Sequence, residues 1–132
     1  MQTVFDPVRK RHVQLTPEEE VRQGVISLLH DQWGCPYELM QVESAISLNG
    51  LTKRCDVVIY NKLVRPILIV ECKKPEVPIS QKVVDQACRY NLVLKVPYLY
   101  LTNGCQHLLL RVDFDNHQLQ QLRSFPKWEE VL

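Results

Sequence analysis

Apolar residues recur along the chain in two periods, and each period marks a type of element. In the segment that opens at Thr16, the positions Val21, Val25, Leu28 and Leu29 form one helical stripe. Thr16-Pro17-Glu18-Glu19 supplies its start, with Thr16 as N-cap, Pro17 at the first helical position and Glu19 placed to close a capping box. Gly34 and Pro36 stop it, so its last turn is expected near His30. Residues 37–47 alternate loosely, Leu39, Val42 and Ala45 among Glu38, Gln41 and Glu43, and predict a strand ahead of an Asn49-Gly50 turn. Two runs rich in β-branched residues follow, Asp56-Val57-Val58-Ile59-Tyr60 and Pro66-Ile67-Leu68-Ile69-Val70, separated by residues 61–65. They read as antiparallel strands joined by a short loop. Pro75 and Pro78 break the chain, and apolar residues at 79, 83, 87, 90 and 94 then predict a second helix. Residues 97–102 predict a further strand ended by Asn103-Gly104, and residues 107–112 with 118–125 a hairpin around Asp115-Asn116.

The order helix, three strands, helix, strand, hairpin predicts an α/β domain with a central mixed sheet flanked by helices. The two motif strands are apolar on both faces apart from Asp56, Glu71 and Lys73, as expected of a sheet covered on both sides. With 132 residues and 45% hydrophobic content, the chain is expected to fold as a single domain. It divides into an N-terminal arm (1–15), a core (16–112) and a C-terminal hairpin and tail (113–132). No repeat, low-complexity segment or linker interrupts it.

Charge narrows the picture little. A net charge of +1 neither requires nor forbids a nucleic-acid partner, and Arg9-Lys10-Arg11-His12 reads equally as a solvated arm or a basic contact. Five cysteines, at 35, 55, 72, 88 and 105, show no spacing suited to zinc and read as small buried hydrophobes in a reducing compartment. There is no signal peptide and no apolar stretch near the roughly eighteen residues that span a bilayer. A soluble, cytoplasmic protein without membrane contact is expected.

The chemistry lies on the two motif strands. If residues 61 and 66 close their loop, the register pairs positions whose numbers sum to 127 and sets Asp56 opposite Glu71. Their Cβ atoms would then lie about 4.5 to 5.5 Å apart. Alternation puts Glu71 and Lys73 on one face and Cys72 on the other. Two facing carboxylates repel, and a divalent cation together with Lys73 would relieve them. Mg²⁺, or Mn²⁺ in its place, engages one or two carboxylates and leaves positions for water and substrate phosphate. Asp56, Glu71 and a backbone carbonyl near Cys72 offer such a donor set. The ion would polarise a phosphodiester and acidify a bound water, while Lys73 deprotonates or orients that water or neutralises developing charge.

An Asp followed by Glu-x-Lys on the next strand resembles the PD-(D/E)XK nuclease superfamily, whose restriction-endonuclease-like core has the order α-β-β-β-α-β. The likeness extends to Thr16-Pro17-Glu18-Glu19-x-Val21-Arg22-Gln23, Asp56-Val57-Val58-Ile59-Tyr60, Ile69-Val70-Glu71-Cys72-Lys73-Lys74-Pro75, Gln86-Ala87-x-Arg89-Tyr90 and Pro97-Tyr98-Leu99-Tyr100-Leu101-Thr102-Asn103-Gly104. Together these resemble the nuclease domain at the N-terminus of type I restriction enzyme R subunits, over roughly residues 16–112. The resemblance implies a Mg²⁺-dependent endonuclease acting on DNA, with Asp56 and Glu71 as metal ligands and Lys73 as the catalytic lysine. It places the family's first-helix acid at Glu19, with Glu20 as fallback. Gln86 and Tyr90 match a Gln-x-x-x-Tyr element that positions DNA or the active site. Cys55 stands where the superfamily has its proline. No stretch resembles the helicase motor of R subunits, so translocation and sequence choice are expected of restriction-modification or helicase subunits. A homodimer would let one such domain act on both strands.

Structural readings stand beside these. Asp56 and Glu71 could form a buried network held by Lys73 and Arg54, and Glu19 could serve only the capping box. Gln86 is equally a polar residue on a half-exposed helix, and Tyr90 a core aromatic with its hydroxyl at the rim. Arg89 and Lys74 are either phosphate contacts or ordinary surface charges. His12, His30, His107 and His117 show no spacing for a metal or base, and Trp33 and Trp128 read as packing or interface aromatics. The competing functional reading is a non-catalytic DNA-binding or assembly module that keeps the nuclease fold. A weaker third is an enzyme acting on another phosphate ester.

Overall fold

The computed structural model describes residues 1–132. The chain opens with a hairpin of β1 (Thr3–Asp6) and β2 (Arg11–Gln14), enters α1 (Pro17–Ser27), and crosses β3 (Met40–Leu48), β4 (Leu51–Tyr60) and β5 (Pro66–Cys72). Helix α2 (Gln81–Leu94) leads to β6 (Tyr98–Thr102), β7 (His107–Asp113), β8 (Gln118–Leu122) and a last turn, α3 (Trp128–Val131). Strands β3 to β8 form one six-stranded sheet in chain order. All its neighbours run antiparallel except β5 and β6, which are parallel and therefore need the α2 crossover between them. The expected mixed α/β architecture is thus present, with β4 and β5 inside the sheet.

Local chemistry accounts for the element ends. The Thr16 hydroxyl accepts the Glu19 N–H at 3.1 Å and caps α1. After Ser27 the helix widens into a π turn over Leu28–Gln32, passing the expected end at His30, and Gly34 (φ +89°) closes it. A 3₁₀ turn at Tyr37–Leu39 then delays β3 to Met40, three residues later than the alternation suggests. Asn49 (φ 53°) and Gly50 (φ 85°) both adopt the left-handed region, the requirement of a two-residue hairpin turn. Buried Asn91 ties the end of α2 to the next strand, donating to the Val96 carbonyl at 2.8 Å and accepting its N–H at 2.9 Å.

The sheet is covered on both faces. Val25 and Ile26 of α1 and Leu29 of the π turn pack with Val57, Ile59, Leu68 and Val70, and Leu94 of α2 packs with Val58, Ile69, Leu99 and Leu110. Trp33 meets Trp128 edge-on at 4.9 Å and donates from Nε1 to the Pro126 carbonyl at 2.6 Å, so both tryptophans serve internal packing. No helix is long and apolar enough to cross a membrane.

Two expectations are corrected. Residues 1–15 are no loose arm: β1 and β2 pair from Thr3–Gln14 to Asp6–Arg11, and the turn is held by Asp6, which accepts the Val8 and Arg9 N–H groups at 2.7 and 2.8 Å. Four-residue strands of mixed polarity carry too short a pattern to announce a hairpin. The cysteines are all free, yet only Cys35, Cys55 and Cys72 are buried, while Cys88 is half-buried and Cys105 exposed.

Leu68, fully buried on β5, is the core's most direct test. Leu68→Ala is expected to lower stability by about 2 to 5 kcal/mol in urea denaturation, through lost burial and the cavity left behind.

Candidate active site at the end of the central strands

The pairs Val57–Val70, Val58–Ile69 and Ile59–Leu68 all obey the expected register, but the pairing stops there, and the expected face-to-face pair of Asp56 and Glu71 does not form. Beyond Val57 the ladder gives way to a side chain: Asp56 Oδ2 accepts the Cys72 N–H at 2.8 Å. Asp56, Glu71 and Lys73 line one open cavity of about 280 Å³, shared with Glu18, Arg22 and Glu43. The three predicted residues therefore converge.

They do so with the alternation broken on one side. Val57 and Ile59 face α1, but Cys55 and Val58, three positions apart, both face α2. The neighbouring strand carries the matching irregularity, for Glu43 is skipped between the pairs Val42–Val57 and Ser44–Cys55 and has φ +49°. A non-glycine residue held there costs about 1 to 2 kcal/mol. The break lets Asp56 lean toward α1, where Arg22 donates to its Oδ1 at 3.0 Å. Strict alternation would have turned Asp56 to the α2 face.

Arg22 is the centre of an ionic network. It is 5% exposed, donates to Glu19 Oε1 at 2.9 Å, and lies 3.3 Å from Glu43 and 3.6 Å from Glu18. Its Nε has no hydrogen-bond partner. Arg9, from the β1–β2 turn, adds contacts to Glu19 at 2.6 Å, Asp6 at 2.7 Å and Glu43 at 3.2 Å. Burial by itself would raise Glu19, but hydrogen bonds from Arg9, Arg22 and Gln23 with the Arg22 charge hold it below the ordinary carboxylate value. Asp6 is held low in the same way, by Arg9, Val8 and Gln23 against its burial. Burial likewise opposes the charge on Arg22, yet its acidic partners raise its pKa further.

Glu71 faces the other way. Its side chain lines a narrow recess under α2 with Lys53, Lys73, Gln86 and Tyr90. Burial pushes the Glu71 carboxyl above its ordinary value, opposed by the Lys53 charge and reinforced by Asp56. Lys53 Nζ stands 3.2 Å from Oε1, an ion-pair distance without hydrogen-bond geometry, so Oε1 is buried with no hydrogen bond. That oxygen is held by the ion pair with Lys53 alone, and a hard cation is one group that could take the place of the ammonium. Two carboxylates suit an ion that keeps its waters, and no three acidic, cysteine or histidine groups converge into a closed cage.

The other predicted positions divide. Gln86 and Tyr90 stand in the recess with Glu71 and Lys73. Arg89 and Lys74 are exposed and line neither cavity. Glu19 does not close the capping box, because its carboxylate is taken by Arg9, Arg22 and Gln23, and Arg22 stands between it and Asp56. Glu20 is exposed and lines a separate cavity behind α1. The structural alternative named the wrong partners: Arg22 and Lys53, not Arg54 and Lys73, hold the acids, and Arg54 reaches only Glu43 at 3.8 Å. Arg22, three residues after Glu19 and four after Glu18, was within reach of helix-pair reasoning. Arg9 stood out only as part of a basic run, and neither Glu43 nor Lys53 gave a local signal of its partner.

The family described as type I restriction enzyme R protein N terminus matches residues 17–126. A fragment assigned to an HsdR subunit of a type I restriction enzyme from Vibrio vulnificus YJ016 superposes with a TM-score of 0.57 at 24% identity, over 89% of this chain. The chain spans only 24% of that protein's length. A protein from Anabaena variabilis ATCC 29413 assigned as a nuclease belonging to DUF820 superposes with a TM-score of 0.57 at 10% identity, over 98% of this chain and 83% of its own. At these identities the two structures establish a shared nuclease-like fold. No curated protein matches the sequence.

The network and the lone carboxylate predict opposite stability effects. Arg22→Met leaves Glu19 and Asp56 short of a buried partner and is expected to cost about 3 to 5 kcal/mol in urea denaturation. Glu71→Gln is expected to stabilise by about 1 kcal/mol, because it removes a carboxylate charge that burial disfavours. Because the folded Glu71 pKa lies above its unfolded value, the penalty is absent below about pH 4 and grows as pH rises through the folded value. The gain from Glu71→Gln should follow that course across a pH series of melting curves. Asp6 and Glu19 act with the reverse sign, their support being complete above about pH 4 and lost as pH falls through their depressed folded values.

Proposed function

From the premise that this chain belongs to the family of type I restriction enzyme R protein N termini, we propose that it is a Mg²⁺-dependent deoxyribonuclease domain of the PD-(D/E)XK kind. The observation that carries this reading is the convergence of Asp56, Glu71 and Lys73 on one open cavity, with Glu71 Oε1 buried and without a hydrogen bond. Asp56 and Glu71, with the backbone carbonyl of Cys72, would hold the ion. Bound there, Mg²⁺ supplies Lewis-acid polarisation of the scissile phosphate and an acidified water.

The chain's own residues do the rest. Lys73 presents its ammonium beside Glu71, where it orients the attacking water or offsets charge developing on the phosphoryl oxygens. Gln86 and Tyr90, on the α2 wall of the recess, position the sugar-phosphate backbone. Glu19 acts on Asp56 through Arg22, fixing its rotamer. Arg89 and Lys74 serve as outer phosphate contacts, and restriction-modification or helicase subunits select the target. Cleavage of both strands would use two copies of the domain.

A second reading has its own observation. Both Asp56 oxygens are engaged, Oδ1 by Arg22 and Oδ2 by the Cys72 N–H, the state expected of an accessory module that binds DNA without cutting it.

Nicking of supercoiled DNA in Mg²⁺ or Mn²⁺ tests the two. Wild type should nick, and Glu71→Gln and Lys73→Ala should each lose about 10²-fold or more of the rate. Equal nicking by all three removes the catalytic reading. Salt-dependent DNA binding without nicking, unchanged by Glu71→Gln, selects the accessory module.

A further inference from the structure

Lys53 is a charged residue at the heart of the recess to which neither motif nor family match assigns a role. It reaches inward from β4 with its side chain only 19% exposed. Its Nζ lies 3.2 Å from Glu71 Oε1, 3.2 Å from the Arg54 carbonyl and 4.7 Å from the centroid of the Tyr90 ring. One of its three donors goes to the Arg54 carbonyl and the ion pair with Glu71 engages another, which leaves a donor for a further acceptor. The tyrosine face steadies the charge without using a donor. This is a partly desolvated ammonium with spare donor capacity, at the wall that also carries Lys73 and Gln86.

We propose that Lys53 is a second phosphate-contacting lysine of this site. With no DNA bound, its ammonium is the counter-ion of Glu71. A divalent cation held by Glu71 would repel the Lys53 ammonium across the same carboxylate and weaken its hold there. The four-carbon stem then lets the ammonium swing from Glu71 to a phosphate oxygen of the DNA, with Tyr90 as the surface over which it moves. Cation and Lys53 therefore compete for Glu71, whereas phosphate and Lys53 attract. The proposal rests on the nuclease reading and adds to it the residue that exchanges partners when substrate arrives.

That double role has a signature that a purely structural lysine lacks. Lys53→Met keeps the apolar stem and removes the charge, and Lys53→Arg keeps the charge. Mn²⁺ affinity is read by electron paramagnetic resonance of the free ion. Affinity for a duplex is read in Ca²⁺ by fluorescence anisotropy over a salt series, with circular dichroism reporting the fold of each variant. Lys53→Met should bind Mn²⁺ about fivefold more tightly, the effect of removing one nearby positive charge. It should also bind duplex more weakly, with the log–log salt slope reduced by about one, while Lys53→Arg keeps the wild-type slope. Parallel weakening of ion and duplex binding, or no change in either, overturns the proposal and leaves the nuclease reading intact. Wild-type protein that binds neither Mn²⁺ nor duplex overturns both.

Discussion

The guanidinium of Arg22 is the constraint on which the site's architecture depends. It is buried, and it joins α1 through Glu19, β3 through Glu43 and β4 through Asp56. Arg9 extends the same network to the N-terminal hairpin through Asp6. Dry apolar side chains of similar volume would often hold such a junction at least as well, because desolvating ions is expensive. An apolar junction, however, could not fix a carboxylate at the mouth of a cavity. The ionic network does so at the point where the sheet ends and the cavity begins.

A backbone irregularity makes that junction available. In an unbroken antiparallel pair, Asp56 would project to the α2 face beside Glu71, and the two acids would meet without mediation. The left-handed Glu43 and the skipped pairing opposite Asp56 break the alternation in both strands. One acid is turned toward each helix layer while both still line the same cavity. Local strain of this kind is maintained only when the surroundings over-determine it, and here three arginines, Arg9, Arg22 and Arg54, reach the Glu43 carboxylate.

The consequence is a symmetric arrangement of charge, each acid provided with a cation from its own side of the sheet. Asp56 has Arg22 and Glu71 has Lys53, but the two pairs differ in quality. The first is hydrogen-bonded on both oxygens, whereas the second leaves a buried oxygen without a hydrogen bond. An incoming hard cation would find Glu71 the easier acid to engage, and the Arg22 network would keep Asp56 in place meanwhile. Two carboxylates that look equivalent on paper are thereby held in unlike environments.

The amino-acid order by itself determined most of the elements of the central sheet and its helices. Period and capping depend on neighbours in the chain, so β4, β5, α2, the Asn49-Gly50 turn and the β4–β5 register from Val57 to Ile59 were all legible. Glu71 and Lys73 line one recess, as alternation from Leu68 through Cys72 leads one to expect. What only the tertiary structure decided is which charges meet. Arg22 and Asp56 are 34 residues apart, as are Arg9 and Glu43, and no local pattern ranks one cation above another at that separation. The β1–β2 hairpin, the break at Glu43 and the placing of Lys53 over Tyr90 likewise exist only because distant segments press together. Short-range periodicity encodes where backbone can go, whereas the partner of a long, flexible, charged side chain is chosen by the packing that surrounds it.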